Sequence, residues 1–400
     1  MEGQRPNSQD SRSAPSSKNE GIRHAAPPKE SLVGRILKLT LFIDSKGHAD
    51  FQRKKNKLSR LLEEFFGSDL PPSSIVAQAP EEGLLIALYA EALSENARKA
   101  VVEYKLSDGI PYCSVQCGSR REVLGAGLTV GHRLQGFGNQ SAAAFKLMKK
   151  VLSREGLDLG DIVRQWNYIE DLLRLRSTLS GKRQNYQEFN DIRRRFYGEA
   201  AFPAGFPAAT GIGMSHGGVV LEFQAVSPSS GLDVVPLSNP LQKDAHRYSQ
   251  EVLVGDPERK SYPKASPLFE RGKYLGWDGA GIVFISGTAA VREQATFARK
   301  DVASQTRITI ENIRRLVSKD NLKNHGIEAG GEPWPLSYLR AYVKRRGDLP
   351  VVKKICQQSF GNVPSHFVKA DICRDDLLVE LEGVVSVNLR KKMKRERADD

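Results

Sequence analysis

Two stretches of the chain repeat one order of hydrophobic and polar patterns. In the earlier stretch, apolar residues of SAAAFKLMKKVLSREGLDLGDIV recur at helical spacing. These residues are Ala144, Leu147, Met148, Val151 and Leu152. The strand-like VRQWNYI, the helical YQEFNDIRRRFY and the strand-like GGVVLEFQAV follow in that order. The pattern predicts a helix followed by a strand, a second helix and a closing strand.

The later stretch follows the same plan. GIVFISGTAAV predicts a strand, and ITIENIRRLV predicts a helix with one apolar side formed by Ile310, Ile313, Leu316 and Val317. YLRAYVK, LPVVKKICQQSF and LLVELEGVVSV then predict a strand, a helix and a closing strand. Two units with the same order of elements indicate an internal duplication.

The repeat also predicts equivalent positions. The predicted pairs are Arg164 with Arg340, Trp166 with Tyr342, and Glu222 with Glu380. Residues 35 to about 120 are interpreted as a third, degenerate copy. Within them LKLTLFI and GLLIALYAEAL resemble strands, and KLSRLLEEFF resembles a helix between them.

Strands that alternate with helices at this spacing predict an α+β fold in which mixed β-sheets are covered by helices on one face. The other face of each sheet must be buried against another copy. The repeated units are therefore expected to form a pseudo-trimer-like arrangement, with sites at the seams between units. The expected division is a disordered tail (1–31), an N-terminal region with one clear and one degenerate unit (32–228), a C-terminal catalytic unit (229–389) and a basic tail (390–400).

Composition narrows the class of protein. With 400 residues and 40% hydrophobic content, the chain can fill two or three globular units. It contains no run near the ~20 apolar residues of a membrane helix and begins without the apolar stretch of a secretory signal, so a cytoplasmic protein is expected. The four scattered cysteines predict free thiols.

The net charge of +13 is spread along the chain without a nucleic-acid-binding motif. An anionic small substrate or plain solubility explains this charge about as well as nucleic-acid binding does, and a nucleic-acid partner is not expected. Metal-binding motifs, phosphate loops and dinucleotide fingerprints are absent from the sequence, so neither a metal nor a cofactor is expected. His216 and His246 are single histidines to which the sequence assigns no role. A monomer or weak oligomer is predicted.

The later unit resembles the small trimeric imine deaminases, also called reactive-intermediate deaminases. The similar segments are ISGTAA, the TIENIRRLV helix and the closing HFVKADICRDDLLVELEGV. Those deaminases hold the substrate carboxylate with an arginine fifteen residues before the first strand glutamate, and here that position is Ser365. The departure argues against deaminase chemistry.

A resemblance to the chorismatase family covers more than 200 residues. The motifs occur in the order RQWNYIEDLL, QEFNDIRRRFY, FPAATGIG, NPLQKDAHRYS, SPLFERG and ISGTA. This resemblance implies an enzyme that acts on chorismate and removes its enolpyruvyl side chain as pyruvate. Chorismate is a dianion, so arginines are expected to hold its two carboxylates, for which their planar fork is suited. The candidates are Arg164, Arg193, Arg195 and Arg271, of which Arg271 is favoured because it lies in SPLFERG.

Cleavage of the enol ether also requires a proton donor to carbon. The resemblance favours Glu380, on a strand where Leu378, Glu380 and Glu382 share one face. Glu222 is interpreted as structural, and Glu382 as a residue that can point outward. Further candidates to line the pocket are Asn167 and Tyr168, with Trp166 assigned to core packing. Backbone N–H groups at Thr210, Gly211 and Gly213 could approach an anion, although a simple structural turn also fits FPAATGIG.

Two residues bear on the ring product. The family pattern implies one branch that hydrolyses chorismate to a diene diol and another that uses a cysteine near the ring to give 3-hydroxybenzoate. Cys373 stands in the place of that cysteine, provided that the turn at Arg374, Asp375 and Asp376 resets the register before Glu380. Ala289 stands where the hydroxybenzoate branch would carry glycine and argues the other way. The predicted product is 3-hydroxybenzoate, with 4-hydroxybenzoate as an accompanying isomer.

Three other functions stay open at this stage. A chorismate hydrolase would give 3,4-dihydroxycyclohexa-1,5-diene carboxylate and pyruvate. An imine deaminase would release ammonia. A non-catalytic module with a basic surface would bind RNA and leave chorismate unchanged.

Overall fold

The computed structural model describes residues 35–390, apart from 95–96, 98, 132–133, 179–180, 229–231 and 258–262. The two expected tails, except Arg390, lie outside this range. The helices are α1 (His48–Phe66), α2 (Phe137–Arg154), α3 (Asn185–Tyr197), α4 (Val302–Val317), α5 (Lys319–Asn324) and α6 (Leu349–Phe360). None of the described helices is both long enough and apolar enough to cross a membrane.

The strands of the first half are β1 (Ile36–Ile43), β2 (Ser73–Val76), β3 (Ile86–Ala92), β4 (Val101–Ser107), β5 (Ile110–Cys117), β6 (Arg120–Leu128), β7 (Ile162–Glu170), β8 (Leu175–Thr178), β9 (Gly181–Gln184), β10 (Ala208–Met214) and β11 (Val219–Val226). Those of the second half are β12 (Asp233–Leu237), β13 (Gly272–Trp277), β14 (Ala280–Ala289), β15 (Val291–Arg292), β16 (Ala295–Thr296), β17 (Tyr338–Val343), β18 (Ser365–Lys369) and β19 (Val379–Asn388).

Two six-stranded sheets have the same topology. The middle unit, residues 101–226, has the strand order β4-β5-β6-β11-β7-β10, and the C-terminal unit, residues 233–388, has the order β12-β13-β14-β19-β17-β18. In each sheet the last two strands are parallel, and the closing strand lies antiparallel between two earlier ones. This common order is evidence of a duplication, and the mixed α+β class is confirmed.

The N-terminal sheet contains only half of this plan. Its order is β2-β1-β3, with β1 parallel to β2 and antiparallel to β3, which matches β10-β7-β11 and β18-β17-β19. Residues 36–92 therefore form a half-unit of strand, helix, strand and strand. The predicted third copy extended to residue 120, but β4 and β5 belong to the middle sheet. The sequence could not separate them, because strand pattern does not reveal which sheet a strand joins.

Helices cover one face of each sheet. The apolar side of α2 is buried through Ala144, Met148, Val151 and Leu152, as its spacing predicted, against the middle sheet. Helix α4 does the same in the C-terminal unit, and its first turn is capped by Asp301, which accepts a hydrogen bond from the Ser304 N–H at 3.0 Å.

The uncovered faces of the three sheets meet in one shared cluster. Phe42, Tyr168 and Tyr342, one from each unit, lie in it and are fully buried. They occupy equivalent places in β1, β7 and β17. The cluster therefore marks a pseudo-threefold axis within a single chain.

The structure corrects the predicted register of the repeats by two residues. The three axial aromatic residues pair across their sheets with Ala87, Val220 and Glu380, respectively. Glu380 is thus equivalent to Val220, and Glu222 is equivalent to Glu382. The predicted pairing of Glu222 with Glu380 is wrong because a slip of two residues in an alternating strand keeps every side chain on its face, so the pattern alone does not detect it.

Candidate active site

A cavity opens at the seam between the middle and C-terminal units. Its empty volume is about 720 Å³, including the part open to solvent. The middle unit contributes residues of α3 and β10, and the C-terminal unit contributes residues of β14, β19 and the segment that precedes β19. The lining includes Tyr186, Gln187, Asn190, Gly211, Tyr248, Arg271, Gly287, Ala289, Cys373, Arg374 and Glu380.

Glu380 is the acidic residue of this cavity. Its side chain lies on the inner face of β19, opposite Ala289 on β14, and is only 4% exposed. Burial, followed by the negative charge of Glu382, raises the pKa of Glu380 from 4.5 to about 8, against the opposing effect of Arg164 and Arg271. The carboxyl is therefore protonated at neutral pH and can donate a proton.

A glycine makes room for this acid. Strand β14 has a register irregularity between Ile285 and Thr288, which places Gly287 against the acid. A Cβ added at Gly287 would lie 2.0 Å from the Glu380 Oε1. The Gly287 N–H donates to Thr210 Oγ1 at 3.0 Å, which fixes the irregular segment from the opposite unit. The glycine of ISGTA is therefore explained by the lack of space for a side chain beside Glu380.

The neighbouring Glu382 is held as an anion. It is buried and pairs with Arg164 (Nη2 to Oε2, 2.7 Å) and Arg340 (Nη1 to Oε1, 3.2 Å). The Trp166 indole donates to the Glu382 Oε1 at 2.9 Å, and the Thr210 hydroxyl donates to Oε2. Burial acts to raise the pKa of Glu382, but Arg164 and Arg340 outweigh it and the pKa is lowered. Two adjacent carboxyls therefore carry different charges, as in sites that separate acid from anion.

Two arginines mark a cationic end of the cavity. Arg271 is buried and donates to the Tyr248 hydroxyl at 2.7 Å and to the Lys243 carbonyl. Arg374 donates to the Gln294 carbonyl at 2.7 Å, and its guanidinium lies 5.2 Å from the Tyr248 ring centroid. With Tyr248 between them, the two guanidinium groups could hold the carboxylates of a dianion.

Helix α3 contributes one wall of the cavity. Tyr186, Gln187 and Asn190 lie one and four residues apart and face the cavity together. A Cβ at Gly211 would lie 2.9 Å from the Tyr186 ring, so this glycine allows the ring to lie against β10. Behind them the buried Arg193 donates to the Asn190 Oδ1 at 2.6 Å and orients that amide.

The thiol of Cys373 also lines the cavity. Burial, followed by the charge of Glu380, raises the pKa of Cys373 to about 12, so the group is a neutral thiol. A turn at residues 373–376 separates β18 from β19, and Cys373 does not belong to the same strand as Glu380. The expected turn is therefore present, and both side chains reach the cavity.

The structure brings together five of the nine predicted site residues. Those in the cavity are Glu380, Cys373, Gly211, Arg271 and Ala289. The other four are Arg164, Tyr168, Arg193 and Thr210, which lie behind its walls. Arg164 and Thr210 bind Glu382, Tyr168 accepts a hydrogen bond from Arg340 at 3.0 Å, and Arg193 supports Asn190.

Three weaker candidates, Asn167, Gly213 and Arg195, also lie outside the cavity lining. The Asn167 amide donates to the Thr210 carbonyl at 3.0 Å. The Gly213 N–H donates to the Asp371 carbonyl at 2.8 Å, and Arg195 is exposed. Glu382 is buried, which corrects the expectation that it can point outward.

Several cavity residues were missed from the sequence. Tyr186, Gln187 and Asn190 lie in YQEFNDIRRRFY. In that segment Arg193 and Arg195 were predicted as site residues instead. The signal for the missed residues was the spacing of polar residues on one side of an amphipathic helix, and Gln187 and Asn190 are in fact buried. The sequence places Arg374 in a turn and does not predict that it lines the cavity.

The seam between the N-terminal half-unit and the middle unit contains an equivalent cavity without this acid. There the Gly127 N–H donates to Ser74 Oγ at 2.7 Å, as Gly287 does to Thr210. Gly127 and Val220 line this second cavity, and Val220 occupies the place of Glu380.

Comparisons with known proteins identify similar chains. Residues 92–225 match the family model described as "Chorismatase FkbO/Hyg5-like, N-terminal". A 3-hydroxybenzoate synthase of Streptomyces hygroscopicus is 35% identical over 249 residues, which are 61% of this chain and 68% of that relative. A chorismatase of Streptomyces rapamycinicus is 33% identical over 229 residues, which are 56% of this chain and 64% of that relative.

A solved chorismatase structure has the same fold. It matches 90% of this chain and 96% of its own with a TM-score of 0.67, at 23% identity. At this identity the match supports the fold alone, whereas the sequence match to the Streptomyces hygroscopicus relative extends over more than two thirds of that protein. The chain belongs to the chorismatase family.

Proposed function

We propose that this protein cleaves chorismate, releasing its enolpyruvyl side chain as pyruvate. The observation that carries the proposal is the neutral carboxyl of Glu380, buried in a cavity that is also lined by Arg271 and Arg374. A proton donor and a cationic clamp are the two features that a dianionic enol ether requires. Family membership supports the substrate.

In this proposal Glu380 protonates the methylene carbon of the enol ether. The side chain then carries a methyl group, and positive charge develops on the ether carbon and oxygen. The proton transfer leaves Glu380 as an anion beside this charge, which it stabilises electrostatically. The bond between the ring and the ether oxygen breaks, and this oxygen leaves as the keto oxygen of pyruvate. The ring keeps its hydroxyl oxygen and becomes aromatic by losing a proton, which replaces the one taken from Glu380. The ionised Glu382 favours the transfer indirectly, because its negative charge keeps Glu380 protonated until the substrate is bound.

Arg271 and Arg374 are proposed to hold the substrate carboxylates. Both donate part of their hydrogen-bonding capacity to protein carbonyls or to Tyr248, and these bonds fix the guanidinium planes before substrate binds. A fixed guanidinium loses less conformational freedom on binding than a flexible lysine would. Asn190, oriented by Arg193, offers a further polar contact from helix α3.

We propose 3-hydroxybenzoate as the ring product, with 4-hydroxybenzoate as a minor isomer. Together 3-hydroxybenzoate and pyruvate contain all the atoms of chorismate, so this route consumes no water, whereas the diene diol requires one. The neutral Cys373 thiol lies in the same cavity as the acid and can exchange a proton at the ring. The relative named as a 3-hydroxybenzoate synthase agrees with this choice.

The test is incubation of the purified protein with chorismate. Pyruvate is measured by reduction with lactate dehydrogenase, and ring products are separated by liquid chromatography against authentic standards. The proposal expects equal amounts of pyruvate and 3-hydroxybenzoate. Pyruvate with the non-aromatic diol would refute the product assignment alone, and an absence of pyruvate would refute the proposed activity. Ammonia release from an imino acid would instead favour the deaminase alternative.

A further inference from the structure

Three potential metal ligands that are far apart in the sequence lie close together in the structure. His48 is the first residue of α1, Glu170 is the last residue of β7, and His216 lies in the turn between β10 and β11. Their ligand atoms all lie within 4.8 Å of one another. The group joins the N-terminal half-unit to the middle unit and contains none of the residues that line the active-site cavity.

The carboxylate of this group is held in a fixed orientation by the backbone. Glu170 Oε2 accepts hydrogen bonds from the N–H groups of Gly217 and Gly218, at 2.9 and 2.6 Å. Its own N–H donates to the Gly218 carbonyl at 2.8 Å. These bonds leave Oε1 directed at His48, and they tie the carboxylate to the turn that carries His216. Metal ligands commonly have such a second layer of hydrogen bonds.

The spacing of the ligand atoms is close to that of a zinc site. His48 Nε2 lies 3.2 Å from Glu170 Oε1, and the rings of His48 and His216 have centroids 4.6 Å apart. Two ligands bound to tetrahedral Zn²⁺ at roughly 2.0–2.1 Å lie about 3.3 Å apart. The His48 side chain is 57% exposed, so a rotation of its ring can bring the ligand nitrogens of His48 and His216 to this distance from each other.

We propose that His48, Glu170 and His216 form a Zn²⁺ site that links the N-terminal half-unit to the middle unit. Two imidazoles and one carboxylate are a typical zinc ligand set, and the exposed side of the group leaves room for water as the fourth ligand. The cation would lie between His48 Nε2 and Glu170 Oε1, which already approach to 3.2 Å. Because the ligands come from separate units, the ion cross-links them and stabilises their contact.

The test measures Zn²⁺ bound to the full chain after removal of any histidine tag. The protein is equilibrated with Zn²⁺, dialysed against metal-free buffer and examined by elemental mass spectrometry. One equivalent is expected for the wild type, with loss in His48→Ala and in His216→Ala. His325→Ala is the matched control, because His325 lies in the C-terminal unit between Ser238 and Asn321, and it is expected to retain the ion.

Two further measurements keep the test decisive if His216→Ala fails to fold. His48 is exposed, so His48→Ala is expected to fold, and Zn²⁺ should raise the melting temperature of the wild type but not of this variant. Co²⁺ in place of Zn²⁺ should give the intense visible absorption of a four-coordinate site in the wild type alone. The proposal is overturned if the wild type retains no more Zn²⁺ than His48→Ala, which would leave only an ion pair between His48 and Glu170.

Discussion

Replacing Glu380 by glutamine tests two properties of this acid: its role in catalysis and its effect on folding stability. The amide keeps the shape of the carboxyl but supplies no acidic proton. If Glu380 protonates the substrate, Glu380→Gln should lower kcat by at least about 100-fold, the lower end of what general acid catalysis contributes. The Michaelis constant should change little, because Arg271 and Arg374 remain.

The same substitution should change how stability depends on pH. The folded protein holds the proton of Glu380 up to about pH 8, whereas the unfolded chain releases it near 4.5. Folding stability from this group is therefore fully present below pH 4.5 and is lost as pH rises towards 8. The loss amounts to about 3–5 kcal/mol over that interval. Glu380→Gln removes it, so the variant should become more stable than the wild type as the pH increases.

The assay combines pyruvate release with denaturant unfolding at several pH values between 5 and 8.5. Glu199→Gln serves as the control, because Glu199 is exposed on the surface and pairs with Lys149. The control should retain both the activity and the pH dependence of the wild type. Wild-type turnover should itself decline above about pH 8, where the acid ionises. Turnover by Glu380→Gln above a tenth of the wild-type value would assign proton delivery to another group.

Three further substitutions test the rest of the site. Arg271→Ala should raise the Michaelis constant for chorismate by roughly 10- to 150-fold, the equivalent of about 1.5–3 kcal/mol for a charged hydrogen bond, and an unchanged constant would exclude Arg271 from the clamp. Gly287→Ala should abolish pyruvate release, because its Cβ would lie 2.0 Å from the acid, and normal turnover would contradict this contact. Cys373→Ala should retain pyruvate release but shift the ring products towards the diol, as chromatography would show, and an unaltered product ratio would remove the thiol from product control.

Periodicity predicted the long helices of the two complete units and strands β7, β11, β14, β17 and β19, because these helices are amphipathic and bury one face. It did not predict several other strands, including β4, β5, β6, β10, β12 and β13. Helix α2 and strands β7 and β19 lie where the pattern placed them. Periodicity could not predict which sheet β4 and β5 would join, since strand pairing depends on contacts distant in sequence.

The site was predicted less completely. Glu380, Arg271 and Cys373 were found through the family motifs. Arg164 and Tyr168 were predicted to line the pocket because a guanidinium and a tyrosine hydroxyl can each bind a substrate carboxylate. Buried polar residues of a strand can equally bind other residues of the core. Only the packing of the three units decides this, and it directs Arg164 to Glu382 and Tyr168 to Arg340.

The pseudo-threefold arrangement explains why the described part of the chain has one such acid and not three. At the third seam Ala87 replaces Glu380, and the half-unit has no strand equivalent to β14 to supply a glycine beside it. At the second seam the glycine persists as Gly127, but Val220 replaces the acid. A buried acid with the pKa of Glu380 costs the fold about 3–5 kcal/mol above pH 8, a large part of the stability of a typical domain. Valine avoids this cost at a seam where no reaction requires the proton. The seam with Arg271 and Arg374 retains the acid, because these arginines can hold a substrate beside it.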